Sequence, residues 1–350
     1  MSSTYPIVKI DRTTITEILP IFINKGIFSN YDDLPERADL LDNLKEELGV
    51  QALSKEQVRE YLSQVGEYKA KDYVVRDYGS YIIAFSLEAY KGNIQGGLKK
   101  ARLNRLGHKI AMLILSEVYT QRKLEGLVIP KQKIVEDLGY STNNKSIYAD
   151  ISDIMFSLRY LDFEIIEYKT KVKLKEDSRT TGNFIYTMRY DGKSYTLWVN
   201  PLFVGSVAYV LSCDKSTLPN GAFKRGYIKY PTTLLPLSKN YSQGAYLLTN
   251  FLMAEMGNSK LKTSTHKVIA YRIPSLMEIM KLNYDREDKN YQAFLSALEE
   301  TQIIDRLDPD ISTLKKIKSS RIQDQVVHLY VKKSIKQLDE EIKSSLLVTK

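Results

Sequence analysis

The stretch IPKQKIVEDLGYSTNNKSIYADIS, which opens at Ile129, recurs in looser form as IPSLMEIMKLNYDREDKNYQAFLS from Ile273. The copies run without a gap at an offset of 144, from Pro130 to Pro274. A unit that spans a helix, a turn and a second helix, present twice in one chain, constrains the fold more than any single motif inside it. It requires two similar supersecondary units, each with a core of its own.

The elements around each copy come in the same order. HKIAMLILSEVYTQRK predicts a helix and GLVIP a short strand. KQKIVEDLG and NNKSIYADISDIMFSLRYL predict a short and a longer helix. FEIIEYKTKVKLK and the hairpin FIYTMRYDGKSYTLWVNP follow, turning at Asp191-Gly192. In the second copy SQGAYLLTNFLMAEMG is the first helix, VIAYRIP the strand, SLMEIMKLN and KNYQAFLSALEETQII the paired helices, and QVVHLYVKK the returning strand. Helix, strand, helix, turn, helix, hairpin is the order of a winged helix-turn-helix. The expected class is α+β, with two such domains in tandem over 96–210 and 211–338, then a tail, 339–350.

Ahead of them, 1–95 reads as a small, mainly helical accessory domain. DLPERADLLDNLKEELG has helical spacing and closes on Gly49, and SKEQVREYLSQVG carries a capping-box pattern at Ser54 and Gln57. DYVVRDYGSYIIAFSLEAY fits strand or helix equally. KGNIQGGLKKARLNRLGHK then reads either as a hinge feeding a basic arm, with Lys99, Lys100, Arg102 and Arg105, or as a solvated linker entering the next helix.

The two copies agree at Pro130/Pro274, Leu138/Leu282, Tyr140/Tyr284, Lys145/Lys289, Ala149/Ala293 and Ser152/Ser296. Ile147, Ile151, Ile154 and Leu158 recur at i, i+4, i+7 and i+11 and define a buried stripe, as do Tyr291, Leu295 and Leu298. At about 100° per residue, the Lys-Ala-Ser triplets fall on the opposite side of each helix. A repeat kept only for folding agrees in its core, whereas this one also agrees at outward positions. Small side chains with a preceding cation suit a helix entering a DNA major groove; chance agreement of common residues is the bland alternative.

Asn143, Asn144 and Tyr148 in the first copy, and Gln292 in the second, join these candidate DNA contacts. Lys169, Lys171, Lys173 and Lys175 alternate, so a strand would carry all four on one face, for phosphate contact or for protection of a sheet edge. Lys315, Lys316, Lys318 and Arg321 occupy the corresponding place in the second unit, and Arg179 adds to the basic surface.

The net charge of +9 is concentrated after Lys91, while the first 60 residues are acidic. The N-terminal MSSTYPIVKIDRTT lacks a secretory pattern, no run approaches the about 20 apolar residues of a membrane span, and Cys213 is the single cysteine. A cytoplasmic protein is expected. Three separated histidines, no zinc spacing, no phosphate loop and no G-x-S-x-G leave no catalytic or metal-binding pattern, so neither enzyme activity nor a cofactor is expected. The chain resembles plasmid replication initiators of the RepE/RepA-like class over about 105–335, through element order and the repeat. That resemblance implies binding to double-stranded origin repeats, a homodimer that represses the initiator's own gene, and a host helicase or initiator partner. The alternatives are a transcriptional regulator, a partition-type DNA-binding protein, or a nucleic-acid enzyme such as a relaxase or recombinase.

Overall fold

The computed structural model describes residues 6–12, 14, 15, 19, 73–77, 81–86, 105–160, 162–168, 176–205, 207, 211, 226–256, 263–282 and 287–348, with backbone alone over 73–77, 81–86, 162–168 and 176–182. The chain divides into two compact units. One comprises Met1–Ile23, Val135–Ser141 and Tyr227–Lys350; the other comprises Asn24–Ile134 and Thr142–Gly226. Among the described residues no helix is long and apolar enough to cross a membrane.

Around the first copy, helix α1 (Arg105–Gln121) leads into strand β4 (Leu127–Pro130), helix α2 (Lys131–Asp137), whose residues from Val135 on belong to the other unit, and helix α3 (Lys145–Tyr160). The hairpin β7 (Ile185–Tyr190) and β8 (Ser194–Val199) closes a three-stranded antiparallel sheet in the order β4-β8-β7. Its turn forms where Asp191-Gly192 predicts: Gly192 has φ 92°, and the Asp191 carboxylate accepts from the Lys193 and Ser194 backbone N–H groups at 2.8 and 2.7 Å. Helix α1 is buried without a break from Gly107 to Val118, a run that is mostly apolar but takes His108, Lys109, Ser116 and Glu117 inside with it. Ile147, Ile151, Ile154 and Leu158 of α3 are the buried stripe that their spacing predicts, 5% exposed or less. Each such side chain contributes about 1.5–3 kcal/mol. The short helix α4 (Pro201–Val204) is capped by buried Asn200, which accepts from Leu202 N–H and donates to the Asn183 carbonyl.

The other unit repeats the arrangement. Helix α6 (Gln243–Glu255) is followed by strand β10 (His266–Arg272), helices α7 (Ile273–Ile279) and α8 (Glu287–Glu300), and strands β11 (Ile304–Asp308) and β12 (Val326–Lys332), with sheet order β10-β12-β11. Tyr291, Leu295 and Leu298 form the buried side of α8 as predicted. A side chain at Gly244 of α6 would place its Cβ 3.3 Å from that of Ala297, so glycine lets these helices meet closely.

Three features differ from the sequence expectation. The described parts of 1–95 do not stand apart as one domain. Strand β1 (Ile7–Asp11) pairs antiparallel with β9 (Tyr227–Pro231), more than 200 residues later, and buries Val8 and Ile10. Strands β2 (Tyr73–Asp77) and β3 (Tyr81–Ser86) settle the ambiguous DYVVRDYGSYIIAFS as a hairpin; the two helices expected before it lie outside the described residues. Second, β5 (Asp162–Tyr168) and β6 (Glu176–Asn183) are not part of the hairpin that closes the first sheet. They extend β2 and β3 into a separate sheet, β2-β3-β5-β6, inserted between α3 and β7. Third, the expected tail, 339–350, is helical over its described residues. Helix α10 (Ile335–Val348) buries Leu338 and Ile342, and its buried Asp339 accepts from Thr233 Oγ1 at 2.8 Å and Lys343 Nζ at 2.5 Å. Thr233 lies just before the short helix α5 (Leu234–Leu237).

Two closely packed positions lend themselves to measurement. Gly139, after α2, has φ 79°, and a Cβ there would lie 2.9 Å from that of Pro236, whereas Gly126 (φ 63°) faces open space. Chemical denaturation should therefore show Gly126→Ala losing about 1 kcal/mol for the left-handed backbone, and Gly139→Ala losing about 2–4 kcal/mol because overpacking adds to it. Burial holds the His108 imidazole down at about 3, with neighbouring Lys109 acting in the same direction. Unfolding lets it take a proton, so its share of stability is complete above about pH 6.5 and is lost as pH falls from there toward 3. Thermal melts between pH 8 and 5 should show a steeper acid loss for the wild type than for His108→Gln.

Candidate nucleic-acid interface

The outward side of α3 begins at its cap. Asn144 Oδ1 accepts from Ser146 Oγ at 2.8 Å and from Ile147 N–H at 3.3 Å, so this expected DNA contact spends its oxygen on starting the helix. Asn143, Asn144, Lys145 and Ala149 are exposed, and Tyr148 is half-buried. Asp150 and Asp153 are exposed on the same helix. The repeat comparison misses them because the second copy has Phe294 and Ala297 at those positions. Carboxylates there exclude a phosphate and suit a cytosine amino group.

Ser152 is not the free outward side chain its position predicts. Its Oγ accepts from Lys131 Nζ at 2.6 Å, donates to the Tyr148 carbonyl at 3.1 Å, and lies 3.0 Å from the Tyr195 hydroxyl. The Lys131 ammonium stands 5.6 Å from the Tyr148 ring centroid and 5.4 Å from that of Tyr190, and Tyr190 stacks on Tyr195 at 4.7 Å. The Lys131 backbone N–H also donates to the Lys193 carbonyl at 2.8 Å. Desolvation lowers the Lys131 pKa against the opposing pull of Asp153, and it pushes the Tyr195 hydroxyl up to about 12. One lysine thus ties α2, α3 and the β7–β8 hairpin together through two aromatic faces and a hydroxyl. Beyond this hub the hairpin exposes Arg189, Lys193 and Tyr186, and Tyr190 of the hub itself is also open to solvent. Sequence reasoning passes over Lys131, Arg189 and Lys193; the last two flank the Asp191-Gly192 turn, which was the available signal.

In the other unit, α8 presents Lys289, Gln292 and Ser296 in the open, with Ala293 half-exposed. With Glu299 they recur at i, i+3, i+7 and i+10, one stripe of the helix. Lys315 pairs with Glu299 at 2.5 Å, at the far end of that stripe. The connection between β11 and β12 starts with the one-turn helix α9 (Ile311–Leu314), capped by Asp310, whose carboxylate accepts from Thr313 N–H at 2.8 Å and from Ser312 Oγ. These bonds, chiefly those from Thr313, hold the Asp310 carboxyl below its usual pKa. Buried Tyr291 of α8 donates to the Leu314 carbonyl at 2.7 Å, fixing the connection against the helix. Lys315, Lys316, Lys318 and Arg321 are all exposed along it, so one surface element brings these four predicted cations together.

Lys99, Lys100, Arg102, Lys169, Lys171, Lys173 and Lys175 lie outside the described residues, as do Tyr284 and Cys213. Arg105 is half-buried as the first residue of α1, and Arg179 lies on β6, in the inserted sheet rather than in the hairpin that closes the first one. Among the described residues no group of three or more His, Cys, Asp or Glu side chains converges as a metal site would require.

The two serines make the contrast testable. Ser152→Ala removes the partner shared by Lys131 and Tyr195 and should cost about 1–3 kcal/mol, while exposed Ser296→Ala should stay within about 0.5 kcal/mol of wild type. Urea denaturation of both variants measures it; equal small losses would show that the Lys131 hub is not structural.

The chain matches no family model and no curated protein sequence. Among solved structures, a crystal structure of RctB domains 2–3 is similar over 77% of this chain and 93% of that chain, at 12% identity and a TM-score of 0.43. A selenomethionine-derivative structure of domains 2 and 3 of RctB is similar over 67% of this chain and 77% of that one, at 13% identity and a TM-score of 0.38. At this identity and these TM-scores, no role for the chain follows from the likeness.

Proposed function

We propose that the chain is a sequence-specific double-stranded DNA-binding protein whose two units are tandem winged helix-turn-helix domains, and that it initiates replication of a plasmid or phage-like episome by binding origin repeats. The observation that carries the DNA-binding part is the recurrence of one topology, β4-β8-β7 and β10-β12-β11, with a helix in each unit that turns a lysine and the alanine four residues on, Lys145 and Ala149 or Lys289 and Ala293, away from its core stripe. In this reading α3 and α8 enter major grooves, where Lys145 and Lys289 meet phosphates. Gln292 and Ser296 reach base edges on one helix and Asp150 on the other. The β7–β8 hairpin and the Lys315–Arg321 connection are the wings, and their cations hold the backbone. The chain acts by binding, with no catalytic centre of its own.

The initiator role extends this reading through the resemblance to plasmid initiators, and it includes a homodimer that represses the chain's own gene and recruitment of a host helicase or initiator in the cytoplasm. Footprinting on the DNA upstream of its own gene tests both levels. Protection of short direct repeats in an A·T-rich region is the expected result. Protection confined to a promoter would make it a transcriptional regulator, and no preference over scrambled DNA would remove sequence-specific binding.

The wing assignment has its own test. Each phosphate that a cation neutralises adds about 0.9 to the slope of log affinity against log salt. Replacing Lys315, Lys316, Lys318 and Arg321 by alanine should therefore flatten that plot by about 3, for cognate and scrambled duplexes alike. The expected change is less than four full phosphates would give, because Lys315 also holds Glu299. An unchanged slope would return these side chains to the solvated surface.

A further inference from the structure

The β1–β9 ribbon has one buried and one open face. Val8, Ile10, Ile228 and Tyr230 fill the buried one, each 5% exposed or less. On the open face the register sets Lys9 directly opposite Lys229, with Tyr227 next along the strand on the same side. The Lys9 ammonium lies 4.5 Å from the centroid of the Tyr227 ring, and Tyr227 is 46% exposed. Among the described residues neither lysine side chain has a carboxylate partner.

Like charges directly opposed across a strand pair oppose folding. Nor can this ribbon relieve the repulsion by slipping, because a one-residue shift would turn its apolar side chains outward. Its ends are also fastened. Thr232 donates to the Pro6 carbonyl through N–H and hydroxyl at 3.1 and 3.0 Å, and Arg12 pairs with Glu255 of α6 at 2.6 Å. The nearby Asp11 carboxylate is turned to Thr14, at 2.9 and 3.1 Å, and is 1% exposed. The register therefore sets two cations at opposed positions on one face, one of them over an aromatic ring, with no carboxylate partner among the described residues.

We propose that this open face is a phosphate-binding surface for the backbone of duplex DNA, separate from the helices and wings of the site above. The proposal rests on the DNA-binding reading, and charge complementarity selects the occupant. A phosphodiester between Lys9 and Lys229 turns their repulsion into two attractive contacts, and the Tyr227 hydroxyl adds a donor. Such contacts carry no sequence information, so the ribbon adds affinity and not specificity.

The test uses the full chain. The paired Lys9→Ala and Lys229→Ala substitutions should leave the melting temperature unchanged or raise it. They should reduce the salt slope of DNA binding by about 2, equally on cognate and scrambled duplexes. Lys229→Glu should melt higher than wild type, because it pairs with Lys9, yet bind DNA more weakly; a purely structural role cannot move the two readouts in opposite directions. Unchanged affinity and slope in all variants, with normal binding by the wild type, would overturn the ribbon site and leave the DNA-binding reading standing. Self-association of the alanine variant in sedimentation, with an unchanged slope, would also overturn it and make the lysines edge protection. Absence of duplex binding by the wild type would overturn both.

Discussion

Burial of a single apolar stripe on α3 and on α8 is the constraint from which the rest follows. Once Ile147, Ile151, Ile154 and Leu158 are packed inward, with α3 against α1 and β7, the outward direction of every other α3 side chain is set by helix geometry. The same holds for α8, whose Tyr291, Leu295 and Leu298 are buried where it packs against α6. The returning strand of each unit then pairs between the other two, which puts a hairpin or a long connection beside the exposed side of the helix. Position for position, the two units solve one packing problem in one way.

They diverge in how the polar residues around that stripe are spent. Around α3, Lys131 is drawn into an aromatic and hydroxyl hub that takes Ser152 out of the exposed set, and desolvation is the counterpart of that ordering. Position 131 corresponds to Ser275 in the second copy, and Tyr148 to Gln292, so α8 has no such hub and Ser296 stays in the open. What α8 has instead is a cationic connection, anchored by the Tyr291 hydroxyl and by the Lys315–Glu299 pair. On the proposed reading, the first unit has a stiffened helix and hairpin with carboxylates among its base-facing groups, and the second contributes more of the charge that holds phosphates. The two units thus share a scaffold and differ in the surface around it.

Much of this was legible in the sequence by itself. The gapless repeat determined that two units share an element order. The i, i+4, i+7 spacing determined which sides of α3 and α8 are buried, because helical period and apolar burial leave little choice. Asp191-Gly192 determined the hairpin turn, since only glycine adopts its φ of 92° without strain. Tertiary structure decided what no local pattern carries. Partners far apart in the chain place β1 on β9 and β2–β3 on β5–β6, and strand pairing has no period that reveals its partner. The fate of Ser152 was also decided there, because it depends on Lys131 and Tyr195 arriving from other elements. A helical period tells only which way a side chain leaves the helix; whether it meets solvent or a neighbour is settled by the rest of the fold.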